Sequence, residues 1–261
     1  MFKKIIKSIL PAKLINFFVE KKNKAKSKAD KMQEENSEEF ILRKNFYAQF
    51  LKKGDIYFDI GANYGNRISP IEKLEMGLIV AVEPQKKCCD YLREKYKNIT
   101  VLQKGVGAFP GKQTFYLSDE SVLSSFSTDF IAKTGDTRFS GNTWNNTEEI
   151  EIVTLDNLIQ TYGVPNFVKV DVEGFEPEVF KGLSVPLKVV SFEYTVPELL
   201  ENLHPIVDKL ALLGNCIFNY SIGESMAMHL NEWVNYSEIK NIINSESFIA
   251  TGFGDVYAKF I

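Results

Sequence analysis

The sequence is poor in the side chains that most often carry metal and thiol chemistry. Two histidines, His204 and His229, and three cysteines, Cys88, Cys89 and Cys216, occur in 261 residues. Two of the cysteines are adjacent and the third is distant. That spacing excludes a CxxC zinc pair and a disulfide framework, and reads as free thiols in a reducing compartment. No apolar run reaches the roughly 18 residues of a membrane-spanning helix. P-loop, GxGxxG and Ser/His/Asp hydrolase patterns are all missing. The N-terminus lacks the small-residue cleavage site and long apolar run of a secretory signal, so a cytoplasmic location is expected. With a net charge of −3 there is no general basic excess to suggest nucleic acid as a partner.

Twenty Phe and eleven Tyr supply ample core material, and 44% hydrophobic with 25% charged residues is an ordinary globular composition. The length suits one large α/β domain or two small ones. Charge is distributed unevenly. Residues 1–31 hold ten lysines against Glu20 and Asp30, a local net of +8 that leaves −11 for the rest. Phe2, Ile5, Ile6, Ile9 and Leu10 recur at helical spacing beside Lys3, Lys4 and Lys7, and Leu14, Ile15, Phe17 and Phe18 follow Pro11. Such a basic amphipathic segment either lies on an anionic membrane surface, here the inner face, or packs on the domain or frays as a solvated tail. We divide the chain into this segment with its linker, residues 1–35, and a globular domain, residues 36–261.

Within the domain, short apolar runs alternate with helical patterns. Strands are expected at Ile56–Ile60, Leu78–Val82, Thr100–Gln103, Phe167–Val170, Val189–Phe192, Cys216–Tyr220 and Val256–Phe260. Helices are expected near Asn66–Glu75, Lys86–Lys97, Glu176–Lys181 and Glu198–Leu213, after a helical stripe from Phe40 to Leu51. Near-continuous apolar strands separated by helices imply a doubly wound, mainly parallel seven-stranded sheet with helices on both faces. Between Lys112 and Leu155 the rhythm breaks into a hairpin strand (Gln113–Leu117), a polar stretch and a second strand (Glu149–Thr154).

Two stretches carry the chemistry. In the first, a strand ends in Asp59 and a turn carries Gly61, Asn63 and Gly65. Glycines suit a sharp reversal against a closely approaching ligand. Asn63 and Asn66 stand where a dinucleotide fingerprint would need glycine. An acid at the strand end suits a ligand with an ammonium group, such as the methionine part of S-adenosylmethionine. The next strand ends in Glu83-Pro84, and a carboxylate there commonly accepts both ribose hydroxyls of an adenosine cofactor. After the third strand, Gly105 and Val106 stand where backbone amides meet an adenine edge in such folds, though an ordinary turn explains them equally.

In the second stretch, Val168-Lys-Val-Asp-Val-Glu-Gly174, a buried strand delivers Asp171 and Glu173 to its carboxyl end. Open α/β sheets bind ligands there. Two close carboxylates can orient a hydroxyl, take its proton, or hold a divalent cation. Glu176 and Glu178 suit the start of the next helix.

Together, Phe58-Asp-Ile-Gly-Ala-Asn63, Glu83-Pro84, Thr154-Leu-Asp156-Asn-Leu158 and Val168-Lys-Val-Asp-Val-Glu-Gly-Phe-Glu176 resemble the FkbM family of methyltransferases in order and spacing, over roughly residues 54–194. The resemblance implies a class I methyltransferase fold using S-adenosylmethionine, and O-methylation of a sugar, glycan or other small hydroxylated metabolite. One departure is the polar opening of the helix after the glycine turn, Asn66-Arg67-Ile-Ser-Pro70, which can put Arg67 near the cofactor carboxylate. On this reading Asp59, Gly61, Asn63, Gly65, Glu83, Gly105 and Val106 hold the cofactor, while Asp171 and Glu173 position and deprotonate the acceptor. Ser124 and Ser125 either overhang the cofactor or belong to a solvated loop. Glu193 either joins an acidic substrate cluster or faces solvent, and His229 is a further candidate base. The rival readings are a nicotinamide-dependent oxidoreductase or epimerase, disfavoured by the missing GxGxxG, and a non-catalytic adenosine- or glycan-binding module.

Overall fold

The computed structural model describes residues 37–261; the basic amphipathic segment, residues 1–35, lies outside the described residues. Helix α1 (Glu38–Tyr47) begins on Ser37, whose side chain accepts the Phe40 N–H, and carries Glu38 and Glu39 in its first turn. The chain then alternates: β1 (Ile56–Ile60), α2 (Ile68–Glu72), β2 (Leu78–Val82), α3 (Lys86–Lys95) and β3 (Thr100–Leu102). A side unit follows, made of β4 (Gly105–Val106), β5 (Gly111–Leu117), α4 (Thr128–Thr134) and β6 (Asn146–Val153). The alternation resumes with α5 (Leu155–Tyr162), β7 (Phe167–Val170), α6 (Glu176–Lys181), β8 (Val189–Thr195), α7 (Leu200–Leu213) and β9 (Cys216–Ile222). Helices α8 (Tyr236–Ile243) and α9 (Glu246–Ile249) precede the last strand, β10 (Phe253–Phe260).

The main sheet has seven strands in the order β3-β2-β1-β7-β8-β10-β9. All neighbours are parallel except β10, which runs antiparallel to β8 and β9. Strands β4, β6 and β5 form a second, three-stranded sheet. The expected architecture is therefore present. The expected strands are found with ends moved by up to three residues, the largest changes being the later end of β8 and the earlier starts of β6 and β10.

Side chains alternate across each strand, so two cores form. On one face Phe58, Ile60, Val168, Val170, Val190, Phe192 and Val256 pack with α5, α6, α7 and α8 through residues such as Leu155, Phe180, Val207 and Ile239. On the other, Tyr57, Ala81, Phe167 and Tyr257 pack with α1, α2 and α3 through Phe46, Tyr47, Ile71 and Leu92. Along that second face a polar row crosses the sheet toward the carboxyl ends of β1 and β7: Asp59, Lys169, Ser191 and Asp255 are all buried. An apolar sheet with a buried polar row at one end marks where the packing serves a site.

Candidate active site

Strand β1 pairs with β2 on one side and β7 on the other, while the chain winds outward in both directions. Ligand crevices in open α/β sheets form at such switch points. Here the carboxyl ends of β1, β2, β7 and β8 open into a cleft of about 220 Å³ whose lining includes Asp59, Gly61, Asn63, Glu83, Asp171, Glu173 and Glu193.

The glycine turn fixes the floor. Gly61 has φ +85°, and a Cβ there would lie 1.7 Å from the Asp171 carbonyl oxygen. Only glycine lets the β1 turn lie against the β7 turn. Asn63, at φ 44°, accepts the Tyr64 N–H on its own side-chain oxygen and presents its backbone N–H to Glu83 at 2.9 Å. Glu83 is buried and also accepts the Gln85 N–H at 2.8 Å. Burial raises its pKa, and the N–H groups of Gln85 and Asn63 oppose that rise. Each oxygen keeps a lone pair for a further donor.

Asp59 is 2% exposed, and its Oδ2 finds no hydrogen-bond partner among the described residues. Burial raises its pKa to about 7 against the pull of Lys169, with Asp171 adding to the rise. A buried, unpartnered carboxylate oxygen on a cleft wall suits a cationic donor. Beside it, Arg67 holds Glu224 in a two-pronged contact of 2.6 and 2.7 Å, and Arg43 reaches the same carboxylate at 3.4 Å. All three residues line the cleft.

The third wall is acidic. Asp171, Glu173 and Glu193 bring carboxylate oxygens within 4.8 Å of one another. Glu173, at φ 53°, sits in a turn tied down from several sides. Ser125 donates to its carbonyl at 2.6 Å, Asn202 donates to the Gly174 carbonyl at 3.2 Å, and Glu176 accepts the Val172 N–H at 2.9 Å. Burial first, and then Asp171, push the Glu173 and Glu193 carboxyls well above the ordinary range. Burial also acts on Asp171, but Lys169 and then Arg67 outweigh it and leave its carboxyl below that range. Three oxygens at this separation could share a cation, and the ammonium of Lys169 already lies 3.2 Å from Asp171.

Several expected site residues lie elsewhere. Gly65 is a packing glycine: a Cβ there would meet Leu92 at 2.7 Å and Tyr96 at 3.0 Å. Gly105 and Val106 are buried in β4, beside β6, and a Cβ on Gly105 would press on Ile152 and Phe126 at 2.5–2.6 Å. None of the three lines the cleft. His229 stacks on Tyr220 at 4.7 Å between ring centres and is likewise outside the lining. Ser124 does line it, while Ser125 is fully buried, so neither is a solvated loop serine. Glu193 joins the acidic cluster, and Arg67 stands beside Asp59 on the lining. Arg43, Glu224 and Lys169 were not singled out by sequence reasoning. Only Lys169 carried a signal, a lone charge inside an apolar strand.

No curated protein matches the chain. Among solved structures, a TehB-like SAM-dependent methyltransferase from Corynebacterium glutamicum is similar at TM-score 0.44 and 8% identity, covering 93% of this chain and 99% of its own. SMU.1697c from Streptococcus mutans, solved in complex with SAH, is similar at TM-score 0.43 and 12% identity, over 86% of this chain and 99% of its own. The precorrin-6y C5,15-methyltransferase of Geobacter metallireducens gives TM-score 0.40 and 11% identity, over 83% and 86%. The sequence profile described as the Methyltransferase FkbM domain matches residues 59–236, a span that includes all six cleft carboxylates. With about two-thirds of its length matched, the chain belongs to the FkbM family of S-adenosylmethionine-dependent methyltransferases.

Proposed function

We propose that this chain is an O-methyltransferase whose acceptor is a sugar, a glycan or another small hydroxylated metabolite. The observation that supports this reading is the cluster of Asp171, Glu173 and Glu193 carboxylates lying against the Gly61 turn in one cleft, which we divide into a cofactor half and an acid half. In the cofactor half, Glu83 takes the ribose hydroxyls with its spare lone pairs. Asp59 takes the ammonium, which suits its buried unpartnered oxygen. Arg67 and Arg43, held at the cleft wall by Glu224, take the carboxylate.

When bound, the cofactor supplies an electrophilic methyl on a sulfonium. The protein aligns the acceptor, excludes water and removes the hydroxyl proton. Asp171 and Glu173 do this at the acid half, with Glu193 as a third acceptor of hydrogen bonds from the substrate's hydroxyls. Several close carboxyl groups on a cleft wall suit a polyhydroxylated ligand better than an apolar one. The same acids give no foothold to a nucleic-acid phosphate.

The test is transfer of a labelled methyl group from S-adenosylmethionine into a glycan and small-metabolite extract. The unsubstituted chain is expected to label an alkali-stable ether, and Asp171→Asn to lower the rate by ~10²-fold. Labelling confined to amines or carboxylates would overturn the assignment to oxygen. Labelling that survives a strong chelator would exclude an essential exchangeable metal, and labelling lost to it would assign a divalent cation to the acidic cluster.

The basic segment bears on where the acceptor is met. It leads into α1, which carries Arg43 on the cleft lining and exposes Ile41 and Leu42. We infer that residues 1–31 rest on anionic lipid and bring the cleft mouth to the membrane surface. Removing them is expected to abolish sedimentation with anionic vesicles and to leave cofactor binding intact. Equal sedimentation of truncated and full-length chains would sink this reading.

A further inference from the structure

A lysine in the middle of a central parallel strand needs a reason. Lys169 is 1% exposed on β7, level with Asp59 on β1 and Ser191 on β8. A buried ammonium costs several kcal/mol unless it is paired and hydrogen-bonded. It has two partners: Asp255 Oδ1 at 2.5 Å and Asp171 Oδ2 at 3.2 Å. They differ in what else they touch. Asp255 is buried on β10, opposite Glu193 and Ser221 in the sheet, and its other oxygen accepts the Tyr257 hydroxyl at 3.3 Å. It does not line the cleft, and Asp171 does.

A purely structural pair would be complete with Asp255 alone. The second contact ties a structural anion to a cleft anion through one cation. Around Asp171 stand Glu173 and Glu193 within 4.8 Å, with Asp59 on β1, Glu176 on α6 and Arg67 beside α2, while Tyr47 on α1 and Tyr257 on β10 face Lys169 and Asp255. Carboxyl groups packed this closely cannot all be ionised. The one that touches the lysine keeps its charge.

We propose that Lys169, anchored by Asp255, is a positioning residue that pins the Asp171 carboxylate in its ionised form and makes it, ahead of Glu173 and Glu193, the acceptor of the substrate's proton. This rests on the O-methyltransferase reading above. In the step, the acceptor O–H bond breaks and the proton lodges on Asp171. The oxygen's electron pair forms the bond to the methyl carbon, and the pair of the broken C–S bond stays on sulfur. The directions of the three carboxyls agree, with Asp171 held low and Glu173 and Glu193 held high. Glu193, whose carboxyl burial holds well above the ordinary range, can in its protonated form donate to Asp171 and hold it further in place.

Carboxyl-carbon NMR of the full chain, labelled at aspartate and glutamate, reads this directly, with Asp171→Asn and Glu193→Gln giving the assignments. In the unsubstituted chain the Asp171 midpoint is expected to lie below the ordinary aspartate value of about 4, and the Glu193 midpoint above the ordinary glutamate value. Lys169→Met is expected to raise the Asp171 midpoint by at least one pH unit, a shift that loss of packing alone would not produce. A folded Lys169→Met chain with an unmoved midpoint overturns the proposal. If that variant does not fold, the unsubstituted chain still decides, because an Asp171 midpoint above about 4, the ordinary aspartate value, overturns it as well. Cofactor binding is a separate readout. Failure to bind S-adenosylhomocysteine would remove the methyltransferase reading without moving these titrations, and an ordinary Asp171 titration would remove the role of Lys169 without touching cofactor binding.

Discussion

At the scale of single residues, the cleft is a study in how burial sorts carboxyl groups. Six acids line it, yet their neighbours set them apart. Glu83 is satisfied by two backbone N–H groups, Asp171 by a lysine, Glu224 by two arginines. Asp59 alone has a buried oxygen with no partner among the described residues, and burial brings its pKa to about 7. Near pH 7 it therefore carries a proton about half the time. A ligand ammonium beside it lowers its pKa, so binding releases that proton. Titrating S-adenosylhomocysteine at pH 7 in buffers of different ionisation enthalpy is expected to show release of about half a proton, absent in Asp59→Asn. The sign fixes the window: release is greatest below pH 7, where Asp59 starts protonated, and fades as pH rises through 7. Proton uptake, or no buffer dependence, would place the ammonium elsewhere.

At the scale of elements, the turns do more than the strands. The β1–α2 turn and the β7–α6 turn touch through Gly61 and Asp171, and each is tied down separately. Gly61→Ala combines a left-handed φ with a Cβ placed on a carbonyl oxygen. It is expected to destabilise the fold by roughly 1–3 kcal/mol and to spoil cofactor and acceptor sites together. A melting curve with a cofactor titration checks this, and a chain that melts and binds as before would mean the two turns are not coupled. The same turns show what was legible in sequence. Gly61, Glu83 and Asp171 were readable because each directly follows an apolar run, and Asn63 and Glu173 because they lie within three residues of one. Gly65 and Gly105 carry the same sequence signal for a different reason, helix and sheet packing, which only the neighbours Leu92, Tyr96, Phe126 and Ile152 reveal. Arg43 and Glu224 left no signal, because a long side chain reaching across a cleft from a helix face or a loop has no periodicity. Helices α8 and α9 were missed, although Asn235 and Ser245 cap them, because eight and four residues are too few for a helical period to stand out from the surrounding loop.

At the scale of the whole molecule, the seven-stranded sheet puts one large apolar core on the face away from α1, while the other face ends in charge. That asymmetry is the account's main physical content: the sheet is rigid enough to hold a lysine and several acids out of water next to a cleft. Among the described residues no helix is long and apolar enough to cross a membrane. The claim that this cleft is a methyltransferase cofactor site is tested most directly by calorimetric titration of the full chain with S-adenosylhomocysteine, against Glu83→Ala. Saturable binding is expected, weakened by roughly 1.5–3 kcal/mol in the variant, about 10- to 150-fold, because a charged acceptor of the ribose hydroxyls is lost. Equal affinity in the two chains, or binding of NAD in place of S-adenosylhomocysteine, would contradict it.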